Sequence, residues 1–272
     1  MICKICGHVM VFFANGKYSL ENNQNFQVPF YYCQNCNCII RDVENLDVVS
    51  HLKTTSYNNI KYEKTLFDER VGFLKYIFSL TKKYKVDIYN WLDIGCSYGH
   101  LIEFLNSNDI ISEGIDIALD VRMLAKKRGL VVYESIDKIP HYKMYDVVSL
   151  IDTLYYSTNP TALIKKIYER TSHNGLLVLK ISNRISLAKM IRMLKKDVSN
   201  ILGDYTINFS RKGISYLLEN SGFKILKITY LERKKQIPIK RKLFYYFALI
   251  IYFFSLGIVN ILPGMIVIAR KQ

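Results

Sequence analysis

The sequence predicts an α/β protein in which a doubly wound sheet of seven strands follows a small amino-terminal module. Three observations predict it. An apolar strand starting at Trp91 runs through a glycine-rich turn into a helix at Leu101, and apolar strands then alternate with helical stretches. Two close pairs of cysteines lie within the first 40 residues. We therefore divide the chain into a module at 1–44, a helical linker or lid at 45–87 and an α/β domain at 88–272.

The turn after the first strand of the α/β domain has the composition of a ligand cradle. Gly95 and Gly99 can adopt positive φ, which brings the backbone close to a ligand, and the helix that begins near Tyr98 points free N–H groups at it. Asp93 would fix the turn or hold a cationic part of the ligand. A purely structural tight turn is the alternative. The residues of the cradle are Asp93, Gly95, Cys96, Ser97 and Gly99.

A second acidic residue supports a nucleotide-type cofactor. Asp116 ends the next short strand, Glu113 to Ile117, and a carboxylate at that place can accept both hydroxyls of a ribose. Helix capping is the alternative role for Asp116. The remaining elements follow at βαβ intervals: strands Leu130 to Glu134, Asp146 to Ile151, Leu176 to Ile181, Lys224 to Leu231 and Met265 to Arg270, and helices Leu66 to Tyr84, Leu119 to Arg128 and Pro160 to Thr171.

Residues 88–271 resemble a class I S-adenosylmethionine-dependent methyltransferase. The matching segments are Leu92-Asp93-Ile94-Gly95-Cys96-Ser97-Tyr98-Gly99, Gly114-Ile115-Asp116-Ile117, Tyr145-Asp146-Val147-Val148-Ser149-Leu150-Ile151-Asp152, Asn174-Gly175-Leu176-Leu177-Val178-Leu179 and Leu217-Leu218-Glu219-Asn220-Ser221-Gly222-Phe223-Lys224. The resemblance implies a Rossmann-like sheet and S-adenosylmethionine as cofactor.

The same resemblance implies a role for each cofactor-binding candidate. Asp93 and the turn residues would surround the methionine portion, and Asp152, after the fourth strand, would face the sulfonium. Asp116 would hold the ribose, with Ile117 beside it. Two positions depart from the family: Ser135 stands where an acidic residue is frequent, and Tyr155-Tyr156 stands where Glu-His is frequent.

A nicotinamide cofactor is the less favoured interpretation of the same turn. The dinucleotide fingerprint G-x-G-x-x-G is not met, because Ser97 stands at the position of its second glycine.

Methyl transfer requires few side chains. Alignment of the nucleophile, methyl carbon and sulfur with exclusion of water suffices, and a base is needed only where the acceptor must lose a proton. The candidate catalytic residues are Asp152 and Tyr155, with Tyr156 and His173 as weaker candidates. Helix capping by Asp152 and aromatic packing by the tyrosines are the alternatives.

The amino-terminal cysteines predict a structural zinc ribbon. Cys3-x2-Cys6 and Cys33-x2-Cys36 are separated by 26 residues, and four thiolates in two such pairs match tetrahedral zinc. Cys38 and His8 are nearby spare ligands, and two disulfides are an alternative. A site with four protein ligands has no open position for substrate, so we assign it no catalysis; it would hold residues whose own core is small.

The positive charge is concentrated in one region. The net charge is +15, and residues 180–242 hold sixteen Lys or Arg against four acids. Residues 243–262 then carry no charge, and this length could span a bilayer. Because the strand at Met265 to Arg270 must return to the sheet, we predict an apolar helical insertion, an in-plane or re-entrant hairpin at a membrane surface, with Ile185 to Lys196 as a basic amphipathic helix beside it. A buried dimer or substrate-cover helix and a true span are the alternatives.

These observations favour a methyltransferase acting on a small-molecule or lipid-linked acceptor, such as a sugar or glycan intermediate or a quinone-like phenol, at a membrane surface. A zinc-containing RNA base methyltransferase is the first alternative, since basic charge can contact phosphates. An inactive cofactor-binding scaffold is the second. The chain begins without an apolar signal segment, so we expect it in the cytoplasm, at the cytoplasmic face of a membrane if it contacts lipid. The sequence leaves the oligomeric state open.

Overall fold

The structure is a computed structural model that describes residues 1–19, 25–44, 46–48, 63–230, 239–255 and 260–272. Most of the predicted linker before residue 63, the end of the predicted strand at Leu231 and the basic residues 233–235 lie outside the described residues.

The α/β domain is built on one seven-stranded sheet, and the predicted sheet is thereby confirmed. The order is β10-β11-β8-β7-β4-β5-β6, with β4 to β8 parallel and β11 antiparallel to both β8 and β10. The strands are β4 Asn90–Ile94, β5 Ile111–Ile115, β6 Val132–Tyr133, β7 Tyr145–Ile151, β8 Thr171–Ser182, β10 Phe223–Thr229 and β11 Gly264–Lys271.

The helices cover both faces of this sheet. They are α1 Glu63–Lys82, α2 His100–Asn106, α3 Leu119–Lys127, α4 Pro160–Arg170, α5 Ile185–Met193, α6 Ser199–Leu202, α7 Arg211–Glu219 and α8 Ile239–Phe254. Leu74 and Ile77 of α1 pack with Trp91 on one face, whereas Ile164 of α4 and Leu217 of α7 belong to the core on the other. The predicted helices at 66–84, 119–128 and 160–171 are present, and their ends differ from the prediction by at most three residues.

Strand order reverses between β4 and β7. The chain passes from β4 to β5 and β6 on one side and then returns to β7 on the other side of β4. In open α/β sheets, ligands bind in the crevice outside the carboxyl ends of the strands at such a reversal. The turns that begin at Gly95 and Asp152 leave the sheet at this crevice, so the topology brings the two predicted segments together.

The amino-terminal module contributes three strands to a second, four-stranded sheet. It has the order β1-β2-β3-β9, where β1 is Val11–Ser19, β2 is Asn25–Tyr32, β3 is Ile39–Arg41 and β9 is Ile207–Asn208. Ile39 pairs with Asn208 and Ile40 with Ile207 in antiparallel register. A strand of the α/β domain therefore completes the sheet of the module, a pairing that the predicted boundary at residue 44 did not foresee.

Among the side chains of helix α8 that the structure describes, one face is packed and the opposite face is exposed. Ala248 is fully buried in a small apolar cluster with Ile261 and Leu262, against which Leu187 of α5 also packs. The opposite face of α8 exposes six apolar side chains, namely Leu243, Tyr246, Phe247, Ile250, Phe253 and Phe254. Within the described residues, the structure contains no helix with the length and apolar content needed to cross a bilayer.

Candidate functional site

The glycine-rich turn has the left-handed backbone that its composition predicts. The φ angles are 74° at Gly95, 49° at Ser97 and 78° at Gly99. The N–H groups of Gly95 and Cys96 both donate to the carbonyl oxygen of Ile115, at 2.8 and 3.0 Å, and so tie the start of the turn to the neighbouring strand β5. The turn is thus a fixed concave backbone at the carboxyl edge of the sheet, and this shape fits a ligand that approaches the main chain closely.

Both glycines of the turn, Gly95 and Gly99, are required by packing as well as by their positive φ. A Cβ at Gly95 would lie 2.9 Å from Cβ of Thr153 and nearer still to the other atoms of that side chain. A Cβ at Gly99 would overlap Leu130. Thr153 belongs to the loop after β7, so the close approach at Gly95 joins the two loops of the crevice.

Asp116 ties the turn to the next helix. One carboxylate oxygen accepts the N–H of Ser97 at 2.8 Å, and the other accepts the N–H of Ala118, the N-cap residue of α3, at 2.9 Å. Burial raises the pKa of Asp116, and the two backbone donors oppose that shift. Asp116 therefore links the turn to the start of α3 but does not cap that helix, because Ala118 is the N-cap residue and the N–H that Asp116 accepts there is that of Ala118 itself. Asp116 also lies against the cradle, as the ribose interpretation requires.

Asp93 lies beneath the turn rather than on its surface. The Ser149 hydroxyl donates to the Asp93 carboxylate at 2.6 Å and accepts the indole N–H of Trp91 at 2.8 Å, and all three residues are buried. The relay links β4 to β7 at the point where strand order reverses. Asp93 thus fixes the end of β4, directly before the turn, to β7, and both of its predicted roles stay predictions.

Cys96 packs into the core. Its side chain lies in an apolar cluster with Ile102 and Val132, and burial, followed by the charges of Asp93 and Asp116, raises the pKa of its thiol well above the usual range. A buried, protonated thiol is a packing residue and not a nucleophile. A contact between Cys96 and the cofactor would have to come from its backbone.

Asp152 occupies the start of the loop after β7. Its φ is 57°, its side chain forms an ion pair with Lys180 of β8, and its N–H donates to the carbonyl oxygen of Lys180 at 3.0 Å. The ammonium of Lys180 also lies 5.4 Å from the ring centroid of Phe73 on α1, so the predicted lid helix contacts the partner of Asp152. Lys180 was not among the predicted site residues.

Three tyrosines form a cluster in which Tyr155 and Tyr156 belong to the same loop and Tyr205 packs on them. The ring centroids of Tyr155 and Tyr205 are 3.9 Å apart, those of Tyr155 and Tyr156 4.7 Å, and those of Tyr156 and Tyr205 5.6 Å. Arg184 donates to the Tyr205 hydroxyl at 2.9 Å and lies over its ring. Sequence reasoning missed Tyr205 because it lies 49 residues from Tyr156, with no motif that relates the two.

The structure bears on two of the residues predicted as candidate bases, Tyr155 and His173. Burial, with a smaller contribution from the charge of Asp152, raises the pKa of Tyr155, so at neutral pH this residue is a hydroxyl that can donate or pack. His173 is wrong as a candidate, because it is exposed near the amino-terminal end of β8, at the edge of the sheet opposite the crevice.

The other predicted cofactor contacts lie at the edge of the crevice. Ile117 follows Asp116 and is half-buried, and its carbonyl oxygen accepts a hydrogen bond from Arg122 at 2.8 Å. Ser135 comes shortly after β6 and precedes a single 3-10 turn, Ile136–Lys138. Their roles stay predictions.

The amino-terminal cysteines converge on one point. The Sγ atoms of Cys3, Cys6, Cys33 and Cys36 all lie within 4.8 Å of one another and are buried. The cross-pair distances are 3.5 Å for Cys3 and Cys36 and 3.4 Å for Cys6 and Cys33, close to the edge of about 3.8 Å of a tetrahedron with zinc–sulfur bonds of about 2.3 Å. All six cysteines are free thiols, so the structure does not support the disulfide alternative.

The two cysteine pairs share one backbone geometry. In the first pair, the N–H of Cys3 donates to the carbonyl oxygen of His8, and the N–H of Gly7 donates to the carbonyl oxygen of Cys3, each at 2.9 Å. In the second pair, the N–H of Cys33 donates to the carbonyl oxygen of Cys38 at 2.9 Å, and the N–H of Asn37 donates to the carbonyl oxygen of Cys33 at 2.8 Å. Gly7 and Asn37, each four residues after the first cysteine of its pair, have φ of 73° and 60°. Two equivalent turns thus present two sulfurs each, which fits a four-thiolate ion site.

Comparison with known proteins identifies the family of this chain. Residues 60–228, more than half of the chain, match the family model of a methyltransferase domain. The chain belongs to this methyltransferase family. A ubiquinone biosynthesis O-methyltransferase of Glaesserella parasuis serovar 5 is 26% identical over 134 residues, which cover 44% of this chain and 57% of that protein. The methyltransferase thus spans little more than half the length of this curated relative.

Solved structures share the fold. A chain from the complex between the Haloferax volcanii Trm112 methyltransferase activator and a methyltransferase aligns with a TM-score of 0.59 at 13% identity, over 83% of this chain and 98% of that chain. An S-adenosylmethionine-dependent methyltransferase of Archaeoglobus fulgidus aligns with a TM-score of 0.53 at 19% identity, over 76% and 99%. The predicted methyltransferase family and its fold are thereby confirmed.

The contact between Gly95 and the Thr153 loop can be measured by substitution. We expect Gly95→Ala to lower the free energy of unfolding by about 1 kcal/mol more than Gly129→Ala does, because both glycines have positive φ but only Gly95 has a neighbour within 4 Å. Urea unfolding of both variants provides the comparison. Equal losses for the two variants would show that the loop does not rest on the turn.

Proposed function

We propose that the protein transfers a methyl group from S-adenosylmethionine to a small-molecule or lipid-linked acceptor at a membrane surface. The juxtaposition at the strand reversal carries this proposal: the loop after β7 touches the left-handed glycine turn through Thr153 and contributes Tyr155 and Tyr156 to the tyrosine cluster. The cofactor supplies an already activated methyl group, so the protein must orient the acceptor and exclude water.

The cofactor half of the site would use the turn and the residues beneath it. Gly95, Ser97 and Gly99 would let the main chain approach the methionine portion, while Asp93 holds the turn from below. Each oxygen of Asp116 accepts one backbone N–H, and a carboxylate oxygen has a second lone pair for a ribose hydroxyl. Ile117 and Ser135 would lie toward the adenosine, and Asp152 toward the reacting end.

The acceptor half of the site would use the tyrosine cluster. Tyrosine rings offer flat apolar faces with polar edges, and these suit the face of a sugar or of a phenol ring. Tyr156 and Tyr205 are half-buried, whereas Tyr155 is buried behind them. The related enzyme from Glaesserella parasuis is named for O-methylation in ubiquinone biosynthesis, which is consistent with an oxygen nucleophile on such a ring.

The four-cysteine site would hold structural zinc. A soft, buried, four-sulfur donor set with tetrahedral spacing suits Zn²⁺ and leaves no coordination position for substrate. The ion would stabilise the module and take no part in methyl transfer.

Helices α5 and α8 support the membrane part of the proposal. The exposed face of α8 carries six apolar side chains, and Met190, Met193 and Leu194 are exposed at the end of α5, which packs against α8 through Leu187. Lys195 and Lys196 follow directly and are exposed. The other two basic residues of the predicted amphipathic helix, Lys189 and Arg192, lie instead over the rings of Tyr32 and Phe13 in the module. An in-plane helix with adjacent lysines suits an anionic bilayer surface.

Cofactor binding tests the assignment of Asp116. We expect Asp116→Ala to weaken S-adenosylmethionine binding by at least about tenfold, because a charge-assisted hydrogen bond contributes about 1.5–3 kcal/mol. Titration calorimetry measures it, and Asp120→Ala, an exposed acid in the first turn of α3, is the control. Because burial raises the pKa of Asp116, we also expect wild-type affinity to fall on acidification at a higher pH than an exposed aspartate would give. Unchanged affinity in Asp116→Ala would contradict the ribose role.

Radiolabel transfer identifies the acceptor class. The protein and methyl-labelled S-adenosylmethionine are incubated with separated lipid, glycan and RNA fractions of the source cell. We expect label in the lipid fraction or in a sugar or phenol compound, with Asp116→Ala as the low-activity control. Label in RNA would instead support the nucleic-acid alternative, and no label in any fraction together with no cofactor binding would support an inactive scaffold.

Flotation with lipid vesicles tests the membrane surface. We expect the protein to float with phosphatidylglycerol-containing vesicles more than with phosphatidylcholine alone, and less as salt is raised. Phe247→Gln with Ile250→Gln should reduce flotation at least tenfold, since each buried side chain contributes about 1.5–3 kcal/mol. Tyr142→Gln, on an exposed side chain outside α5 and α8, is the control. A wild type that stays in the lower fraction with every vesicle would overturn the membrane part.

A further inference from the structure

The cysteine module and the tyrosine cluster meet at one short strand. Strand β9 pairs with β3 of the module, and the N–H of Arg41 donates to the carbonyl oxygen of Thr206 at 2.9 Å, which extends the pairing by one residue. Tyr205 immediately precedes Thr206. The residue that completes the tyrosine cluster is therefore fixed to the module by main-chain hydrogen bonds.

A second set of contacts links the cysteines themselves to the same segment. The Ser210 hydroxyl donates to the carbonyl oxygen of Cys36 at 2.5 Å and accepts the N–H of Gly213 at 2.8 Å, and so caps α7 against a candidate metal ligand. A Cβ at Gly213 would lie 3.2 Å from the carbonyl oxygen of Cys36 and would overlap Sγ of Cys38. Segment 205–213 is therefore packed directly on the second cysteine pair.

The segment reaches the loop after β7 on its other side. The Thr206 hydroxyl lies 3.4 Å from the carbonyl oxygen of Tyr156, its hydrogen-bond acceptor, and the Tyr205 ring stacks on Tyr155. Cys36 is thus connected through Ser210, Thr206 and Tyr205 to the loop that begins at Asp152. The cofactor turn touches this loop at Thr153, but its N–H groups donate to Ile115 and Asp116, which lie outside both the loop and segment 205–213.

We infer that the ion-binding module is the structural wall of the acceptor half of the site, so that metal occupancy positions Tyr205 and the Tyr155–Tyr156 loop and leaves the cofactor turn unchanged. This inference rests on the proposed function for the meaning of the acceptor half. Tyr205 is a positioning residue in this scheme, since it acts through the loop that it packs on.

Hydrogen exchange on the full-length protein tests the inference without an identified acceptor. The protein is loaded with one equivalent of zinc and compared with the same protein after removal of zinc by a chelator. We expect amides in 203–210 and 153–157 to exchange at least about tenfold faster without zinc, because their partners on the module are released. Amides in 95–99 and 111–118 should change by less than about threefold, and so should calorimetric affinity for S-adenosylhomocysteine.

Linkage provides the reverse measurement. If zinc positions the segment, disturbing the segment must weaken zinc binding by the same coupling. We expect Gly213→Ala to lower zinc affinity at least tenfold in a chelator competition, and Cys38→Ala combined with Gly213→Ala to recover most of that loss because the overlapping sulfur is gone. Gly72→Ala, on a helical glycine with no neighbour within 4 Å, is the control. Should Gly213→Ala fail to fold, Ser210→Ala tests the same link with a smaller change.

Two results would overturn the inference. One is unchanged exchange in 203–210 after zinc removal, which would leave the module a separate appendage. The other is an equal opening of the cofactor turn, which would make zinc a general stabiliser. Both outcomes are readable even if S-adenosylmethionine does not bind, so failure of the proposed function is distinguishable from failure of this inference.

Discussion

The reversal of strand order between β4 and β7 is the constraint on which the rest of the site depends. Parallel strands deliver their following loops to the same edge, and the reversal leaves a gap between two of those loops. Both loops start with a left-handed residue, Gly95 at φ 74° and Asp152 at φ 57°. The buried relay from Trp91 through Ser149 to Asp93 fixes the spacing of the two strands directly below the gap.

The two halves of the crevice are held by different kinds of contact. The cofactor half is local: Gly95, Cys96 and Ser97 are bonded to residues 115 and 116, and the whole arrangement is one βαβ unit. The acceptor half is assembled from distant segments, since the cluster joins Tyr155 and Tyr156 to Tyr205, and Tyr205 is held in turn by Arg41 through Thr206. Contacts between segments so far apart along the chain are formed only when the tertiary structure is complete.

This difference explains what the sequence could predict. The seven-strand sheet, the glycine turn, the position of Asp116 and the convergence of the four cysteines were predictable, because each follows from a short pattern with a fixed geometry. The pairing of β3 with β9, the ion pair of Asp152 with Lys180 and the role of Tyr205 were not. A two-residue strand such as Ile207–Asn208 has no periodicity to detect, and a side-chain contact across 28 or 49 residues leaves no local pattern. His173 precedes even the predicted strand Leu176 to Ile181, so the predicted topology already placed it at the amino-terminal edge, away from the crevice.

The size of the module gives a physical reason for a metal ion in this position. About forty residues bury too little apolar surface to stay folded alone, and a four-thiolate site offsets the missing core. In this protein the α/β domain also supplies the module with strand β9 and with apolar contacts, since Phe13 and Phe30 pack with Ile185 and Leu202. The same strand β9 follows Tyr205 of the tyrosine cluster closely, so the module in turn supports that cluster. In the proposed scheme, the stability of the module and the geometry of the acceptor half are therefore coupled, and an ion that binds only the folded module would stabilise both.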